Sequence, residues 1–157
     1  MKMNKLKTKI PPPIIAFCFG LIMWAMSLYL HLYLYLLEHF SLFWIALTCI
    51  AIGLYLNIVS FINFVKHKTT VNPISPKKAS KLVINGFYRF TRNPMYLGMV
   101  FILLGCAFLF GNIGCFLILP FFISTMNYLQ IEPEEKVLEK NFGKSYLDYK
   151  MTVRRWL

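Results

Sequence analysis

Acidic residues are scarce in this 157-residue chain: 6 Asp and Glu stand against 17 Lys and Arg, a net charge of +11. Whole stretches lack charge of either sign. Ile14–Leu37 and Leu42–Val65 contain no Lys, Arg, Asp or Glu. No carboxylate falls in the middle of an apolar run, which argues against small multidrug transporters, since these need one inside the membrane. Cysteine offers no framework either. Cys18, Cys49, Cys106 and Cys115 all lie in apolar runs, and no CxxC or Cys/His cluster exists. Disulfides and a metal site are therefore not expected, and the thiols should pack as small hydrophobes. A P-loop is missing: Lys144-Ser145 follows Gly143, but the upstream glycine is absent and no strand precedes it.

Apolar residues fill the space. They make up 58% of the chain, against about 45–50% in soluble domains. The two uncharged runs each have about 24 residues, and about 20 suffice to cross a bilayer as a helix. Two shorter runs, Met95–Phe110 and Ile113–Ile131, meet at Gly111-Asn112-Ile113-Gly114. The expected fold is all-α and integral to the membrane, with about four transmembrane helices and a helical cytoplasmic tail. One domain is expected over 1–157: a basic leader 1–13, a first helical hairpin 14–65, a loop 66–93, a second hairpin 94–131 and a tail 132–157. The first apolar run is far longer than the 7–15 residues of a signal-peptide core, so it should be retained.

The basic residues set the orientation. Four lie in the leader, seven between Lys66 and Arg92, and six between Lys136 and Arg155. Lys and Arg resist translocation, so such segments stay in the cytoplasm. Four spans put all three on one side. Both termini are then cytoplasmic, and a bacterial inner membrane is the expected location. The charge meets anionic lipid headgroups rather than nucleic acid.

Local signals mark the polar segments. Pro11-Pro12-Pro13 closes the leader. His31, in Tyr29-Leu30-His31-Leu32-Tyr33, is an ionisable residue near an outer boundary, with Glu38 and His39 just outside the lipid. Turn signals at Asn72-Pro73, Ser75-Pro76 and Asn85-Gly86 punctuate the central loop, and Lys77–Val83 fits a short helical turn. Asn93 is an expected N-cap and Pro94 an expected first helical residue. Gly98 and Gly105, seven apart, share a face that permits close helix packing. Pro120 is positioned to kink the fourth span. Glu132-Pro133-Glu134-Glu135 reads as a fresh helix start. Gly143 should end that helix and Ser145 cap the next, on which Tyr146, Tyr149 and Val153 recur at i, i+3 and i+7. Trp156 is placed to anchor at the interface. The tail should fold back beneath the helices.

Two polar clusters should meet on the cytoplasmic face: Tyr88, Arg89, Arg92, Asn93 and Tyr96 at the start of span three, and Glu132, Glu134 and Glu135 after span four. Arg92-Asn93-Pro94-Met95-Tyr96-Leu97-Gly98, an apolar hairpin, Glu132-Pro133-Glu134-Glu135, and Phe142-Gly143 with Tyr146, Tyr149 and Val153 follow in order. From about Thr69 to Leu157 this pattern resembles the isoprenylcysteine carboxyl methyltransferase and phospholipid methyltransferase superfamily. The resemblance implies an S-adenosylmethionine-dependent methyltransferase whose cofactor enters from the cytoplasm and whose lipophilic acceptor comes from the bilayer. Carried over by position, Ser80, Lys81, Leu82, Val83, Tyr88, Asn93, Pro94, Met95 and Tyr96 would line the cofactor site, and Glu132 would hold the cofactor. Arg92 is the candidate catalytic residue, and Arg89 a further candidate for cofactor or acceptor contact. A carboxylate suits the cofactor's ammonium group, backbone N–H groups at a helix start suit its carboxylate, and aromatic faces suit a sulfonium.

Two positions and one missing element depart from the specialised branches. Asn93 stands where the isoprenylcysteine enzymes carry His. Tyr128 stands where they place an arginine for the substrate carboxylate. The glycine-x-glycine element of the phosphatidylethanolamine enzymes is missing. Two other readings share the topology: an NADPH-dependent membrane reductase of the sterol type, which has a similar Arg-x-Pro-x-Tyr-x-Gly segment, and a non-enzymatic four-helix membrane protein. The adjacent acids of Glu132–Glu135 favour a cationic cofactor over an anionic dinucleotide.

Overall fold

The computed structural model describes residues 10–30, 39–66 and 82–157. His31, Glu38 and residues 77–81 of the expected turn over Lys77–Val83 lie outside the described residues, and Leu82 and Val83 are not helical. Helix α1 spans Pro12–Tyr29. Pro12 and Pro13 occupy its first turn, where a missing N–H costs nothing. Helix α2 spans His39–Lys66, α3 Pro94–Phe110 and α4 Ile113–Met126. A π turn, Asn127–Ile131, carries α4 into α5, Glu132–Phe142. Helix α6 spans Lys144–Thr152. No strand occurs among the described residues. Three helices are long and apolar enough to cross a bilayer: Pro12–Tyr29, Phe40–Asn63 within α2, and the continuous run Ile113–Phe142. Helix α3 has 17 residues, about the lower limit for a span.

Helix α2 lies against α3 along a seam of small residues. An added Cβ at Gly53 would sit 2.5 Å from the Gly98 carbonyl oxygen, and one at Gly98 would sit 2.7 Å from the Gly53 carbonyl oxygen. At Gly105 it would lie 2.8 Å from the Ala46 carbonyl oxygen. The backbones therefore touch, as the spacing of Gly98 and Gly105 anticipates, because lipid offers helices no hydrophobic drive and close contact must supply the attraction. Asn57 donates its amide to the Gly53 carbonyl at 2.8 Å, which satisfies a polar side chain inside the seam. Gly98→Ala should lose about 1–3 kcal/mol, the usual cost of overpacking, because backbone cannot move aside as a side-chain tip can. Gly20→Ala is the contrast: its Cβ would meet Leu103 at an ordinary 3.8 Å. Unfolding midpoints in detergent should fall for the first and hold for the second.

Helix α1 packs on α3 and α4. Phe19 meets Phe122 edge-on at 5.4 Å, and Ile15, Met23, Tyr96, Leu103, Phe122, Met126 and Ile131 join one buried cluster. The α3–α4 hairpin turns in two residues. Gly111 takes the left-handed conformation, φ 57°, and the Asn112 side chain accepts from the Gly114 N–H at 2.8 Å. The Asn112 amide also donates to the Leu30 carbonyl, tying the end of α1 to the hairpin. Pro120 lies inside α4 without ending it.

Two local expectations meet the structure differently. Helix α5 does begin at Glu132, with Pro133 and the acids in its first turn, but it continues from α4: the chain enters it through the π turn, and the Glu132 N–H bonds back to the Asn127 carbonyl. Pro133 is the physical reason. It has no N–H, and its ring would strike the carbonyl four residues back, so widening the preceding turn accommodates it. Gly143, with φ 52°, stands at the N-cap of α6, which begins at Lys144, so Ser145 lies inside the helix rather than capping it.

Candidate cofactor site at the start of α3

The start of α3 is built from both ends of the chain's second half. Gly86–Arg89 forms a 3₁₀ turn that buries Tyr88. Thr91, 2% exposed, accepts the Asn93 N–H on its hydroxyl at 3.1 Å. The C-terminal segment runs alongside: the Arg92 N–H donates to the Arg154 carbonyl at 3.0 Å. The Arg155 carbonyl accepts from both the Thr91 hydroxyl, at 3.2 Å, and the Asn93 amide, at 2.9 Å. Asn93 therefore holds the N-cap position of α3 without capping it. The amide nitrogen is held by the tail, and the side-chain oxygen makes no cap bond to the first turn of α3. Farther along, the Tyr149 hydroxyl donates to the Tyr88 carbonyl at 2.6 Å, and the Trp156 indole donates to Asn127 in the π turn at 3.1 Å. The tail thus folds back under the helices, and Trp156 docks on the π turn.

Acids from α5 complete the cluster. The Tyr96 hydroxyl donates to Glu134 at 2.7 Å. Glu135 faces three cations: Arg92 at 3.0 Å, Arg155 at 2.8 Å and Lys150 at 3.9 Å. The Arg92 and Glu135 side chains are only 8% and 9% exposed, so each depends on the other. Arg92 also donates to the Lys150 carbonyl at 3.3 Å. Burial pushes the Glu134 carboxyl up to about 7; the charge of Glu135 adds to the rise, and the Tyr96 hydrogen bond opposes it. Burial likewise raises the Tyr88 hydroxyl, with Tyr149 and Glu134 contributing. Tyr88 is a neutral phenol.

The residues expected at the site fall as follows. Ser80 and Lys81 lie outside the described residues. Leu82 is half-buried and Val83 buried just before the 3₁₀ turn. Tyr88, Pro94 and Tyr96 are buried, Asn93 and Met95 half-buried, and Arg89 exposed. Glu132 is half-buried at the exit of the π turn. Among the described residues it has no hydrogen-bond or ion-pair partner, although Arg155 senses its charge. Sequence reasoning did not single out Thr91 or Arg155. Arg155 looked like one more basic residue flanking the membrane, and its pairing with Thr91 joins positions 64 apart. The π turn had one signal, Pro133 itself.

The phospholipid methyltransferase family model matches residues 41–145, across α2, the central loop, the α3–α4 hairpin and α5. The chain belongs to the phospholipid methyltransferase family. Among curated proteins, an uncharacterized protein of Haemophilus influenzae is 44% identical over 63 residues, covering 40% of this chain and 100% of that protein. A protein-S-isoprenylcysteine O-methyltransferase of Dictyostelium discoideum is 31% identical over 120 residues, covering 74% of this chain and 49% of that protein. The chain thus spans about half the length of that relative. No solved structure matches it. The family match contains all the expected site residues, from Ser80 to Glu132.

The arrangement suits a cation. Carboxylates and neutral aromatic rings stand together, and the two arginines beside them, Arg92 and Arg155, are both paired with Glu135. S-adenosylmethionine carries an ammonium, a carboxylate and a sulfonium, and the donor set fits all three. Glu132, a carboxylate with no hydrogen-bond or ion-pair partner among the described residues, suits the ammonium. The N–H groups of Met95 and Tyr96, in the uncapped first turn of α3, suit the carboxylate. The rings of Tyr88 and Tyr96 suit the sulfonium.

Proposed function

We propose that this protein is an integral-membrane methyltransferase that takes a methyl group from S-adenosylmethionine and gives it to a lipophilic acceptor. Family membership supports the reaction class. The observation that carries the cofactor is Glu132, the acid of the Glu132–Glu135 group left without a protein partner among the described residues. Bound, S-adenosylmethionine would supply an electrophilic methyl on a sulfonium. The chain's own residues would bind and align. Glu132 would hold the ammonium and fix the cofactor's long axis. Tyr96, oriented by its hydrogen bond to Glu134, would present its ring. Arg92 would act by position, since its guanidinium is committed to Glu135. Alignment of donor and acceptor can supply much of the acceleration in a displacement of this kind. Equilibrium binding in detergent micelles tests the cofactor: S-adenosylmethionine should quench tryptophan fluorescence saturably, and NADPH should not. Saturable NADPH binding in its place would favour the reductase reading.

The pH dependence of binding follows from Glu134. In the free protein its carboxyl is half-protonated near pH 7. A bound cation favours the ionised form, so binding releases a proton and weakens as pH falls through that range. The Kd for S-adenosylmethionine should rise several-fold from pH 8 to pH 6, and Glu134→Gln should flatten the dependence. A wild-type Kd that is flat over that interval would remove Glu134 from the site.

The lipid supplies the acceptor in this reading, and the cytoplasm supplies the cofactor. Both termini face the cytoplasm, as the three basic segments require, and the membrane is a bacterial inner membrane. Reporter fusions after Leu157 and at Gly111 should report opposite sides; the same side for both would refute the topology.

A further inference from the structure

Resting on that reading, we propose that the C-terminal segment Val153–Trp156 is a positioning element for the cofactor, locked against the start of α3 by Glu135. Three observations carry it. The Arg155 carbonyl accepts from Thr91 and Asn93 at once, so one backbone oxygen fixes the two residues that lead into the cofactor-binding turn. The Asn93 amide is thereby drawn away from α3, and the N–H groups of Met95 and Tyr96 stay open to a ligand carboxylate. A side chain that capped the helix would compete for those same donors. The third observation is how the segment is held. Glu135 binds the Arg155 guanidinium through both carboxylate oxygens, at 3.1 and 2.8 Å, while also pairing with Arg92. A single carboxylate of α5 therefore links the tail to the residue just before Asn93.

This geometry assigns Arg155 a positioning role for the cofactor, distinct from contact with the acceptor. Its effect runs through the Arg155 backbone to Asn93 and then to the first turn of α3. The bidentate fork explains why arginine stands here: lysine can neutralise Glu135 but cannot grip both oxygens in one plane.

The test uses the full-length protein in detergent or nanodiscs. Hydrogen exchange of the unliganded protein reads the proposed dock directly, because the Arg92 N–H is bonded to the tail. Arg155→Ala should speed exchange in the peptide covering residues 88–97. It should also raise the KM or Kd for S-adenosylmethionine about tenfold, leaving the KM of a supplied lipid acceptor within twofold. Arg155→Lys should recover part of the loss. A chain ending at Arg154, which removes the accepting carbonyl as well, should bind the cofactor more weakly than Arg155→Ala. Unchanged exchange and cofactor affinity in Arg155→Ala would overturn the proposal. So would a parallel loss of cofactor affinity, acceptor affinity and melting temperature, which marks general structural damage. If the wild-type protein fails to bind S-adenosylmethionine, the cofactor assignment fails instead, and exchange at residues 88–97 still reports on the dock.

Discussion

Glu132→Gln should weaken S-adenosylmethionine binding by one to two orders of magnitude and leave the fold intact. A hydrogen bond to a charged group contributes about 1.5–3 kcal/mol, which corresponds to that range of affinity. The amide keeps the size of the carboxylate and loses its charge. Stability should hold because the Glu132 side chain makes no hydrogen bond or ion pair among the described residues; it reports on ligand alone. Isothermal titration or fluorescence quenching gives the affinity, and circular dichroism gives the fold. An affinity within twofold of wild type would take Glu132 out of the site.

Glu135→Ala should act in the opposite sense, through the fold. Removing one partner of a buried ion pair leaves an uncompensated charge and costs about 3–5 kcal/mol. The Arg92 side chain is 8% exposed, and its remaining partner among the described residues is the Lys150 carbonyl at 3.3 Å. Arg155 would also lose its anchor, although it is more exposed and can turn to water. The expected result is a large drop in the unfolding midpoint in detergent, together with release of the tail to protease. A change under about 1 kcal/mol would show that the pair is better hydrated than its burial implies. The contrast between the two acids is instructive. They are three residues apart on one helix, yet one should be read by binding and the other by stability.

Much of this was legible in the sequence because it depends on composition and spacing. The apolar runs give the spans, Gly111-Asn112 gives the hairpin turn, and Gly98 with Gly105 gives the face that touches α2. The meeting of the Tyr88–Tyr96 segment with the acids of α5 follows from two antiparallel spans joined by a short turn. What the residues could not convey was which acid faces which partner. Each helical residue rotates the chain by about 100°, so the π turn re-aims Glu132, Glu134 and Glu135 together. Pro133 beside acids looks the same at a helix start and just after a widened turn. Asn93 before Pro94 carries the signature of a capping residue, and nothing local reveals that a carbonyl 62 positions away takes its amide. Such long-range pairings follow no period, because they are set by where the tail comes to rest.

The central claim joins a water-soluble methyl donor to an acceptor in the bilayer. Purified protein in proteoliposomes, given S-adenosylmethionine labelled in its methyl group, tests it most directly. Liposomes made from the total lipid extract of the source cells should yield label in the organic phase, and Glu132→Gln should reduce that yield by tenfold or more. Saturable cofactor binding with no label entering the organic phase above a protein-free control would contradict it.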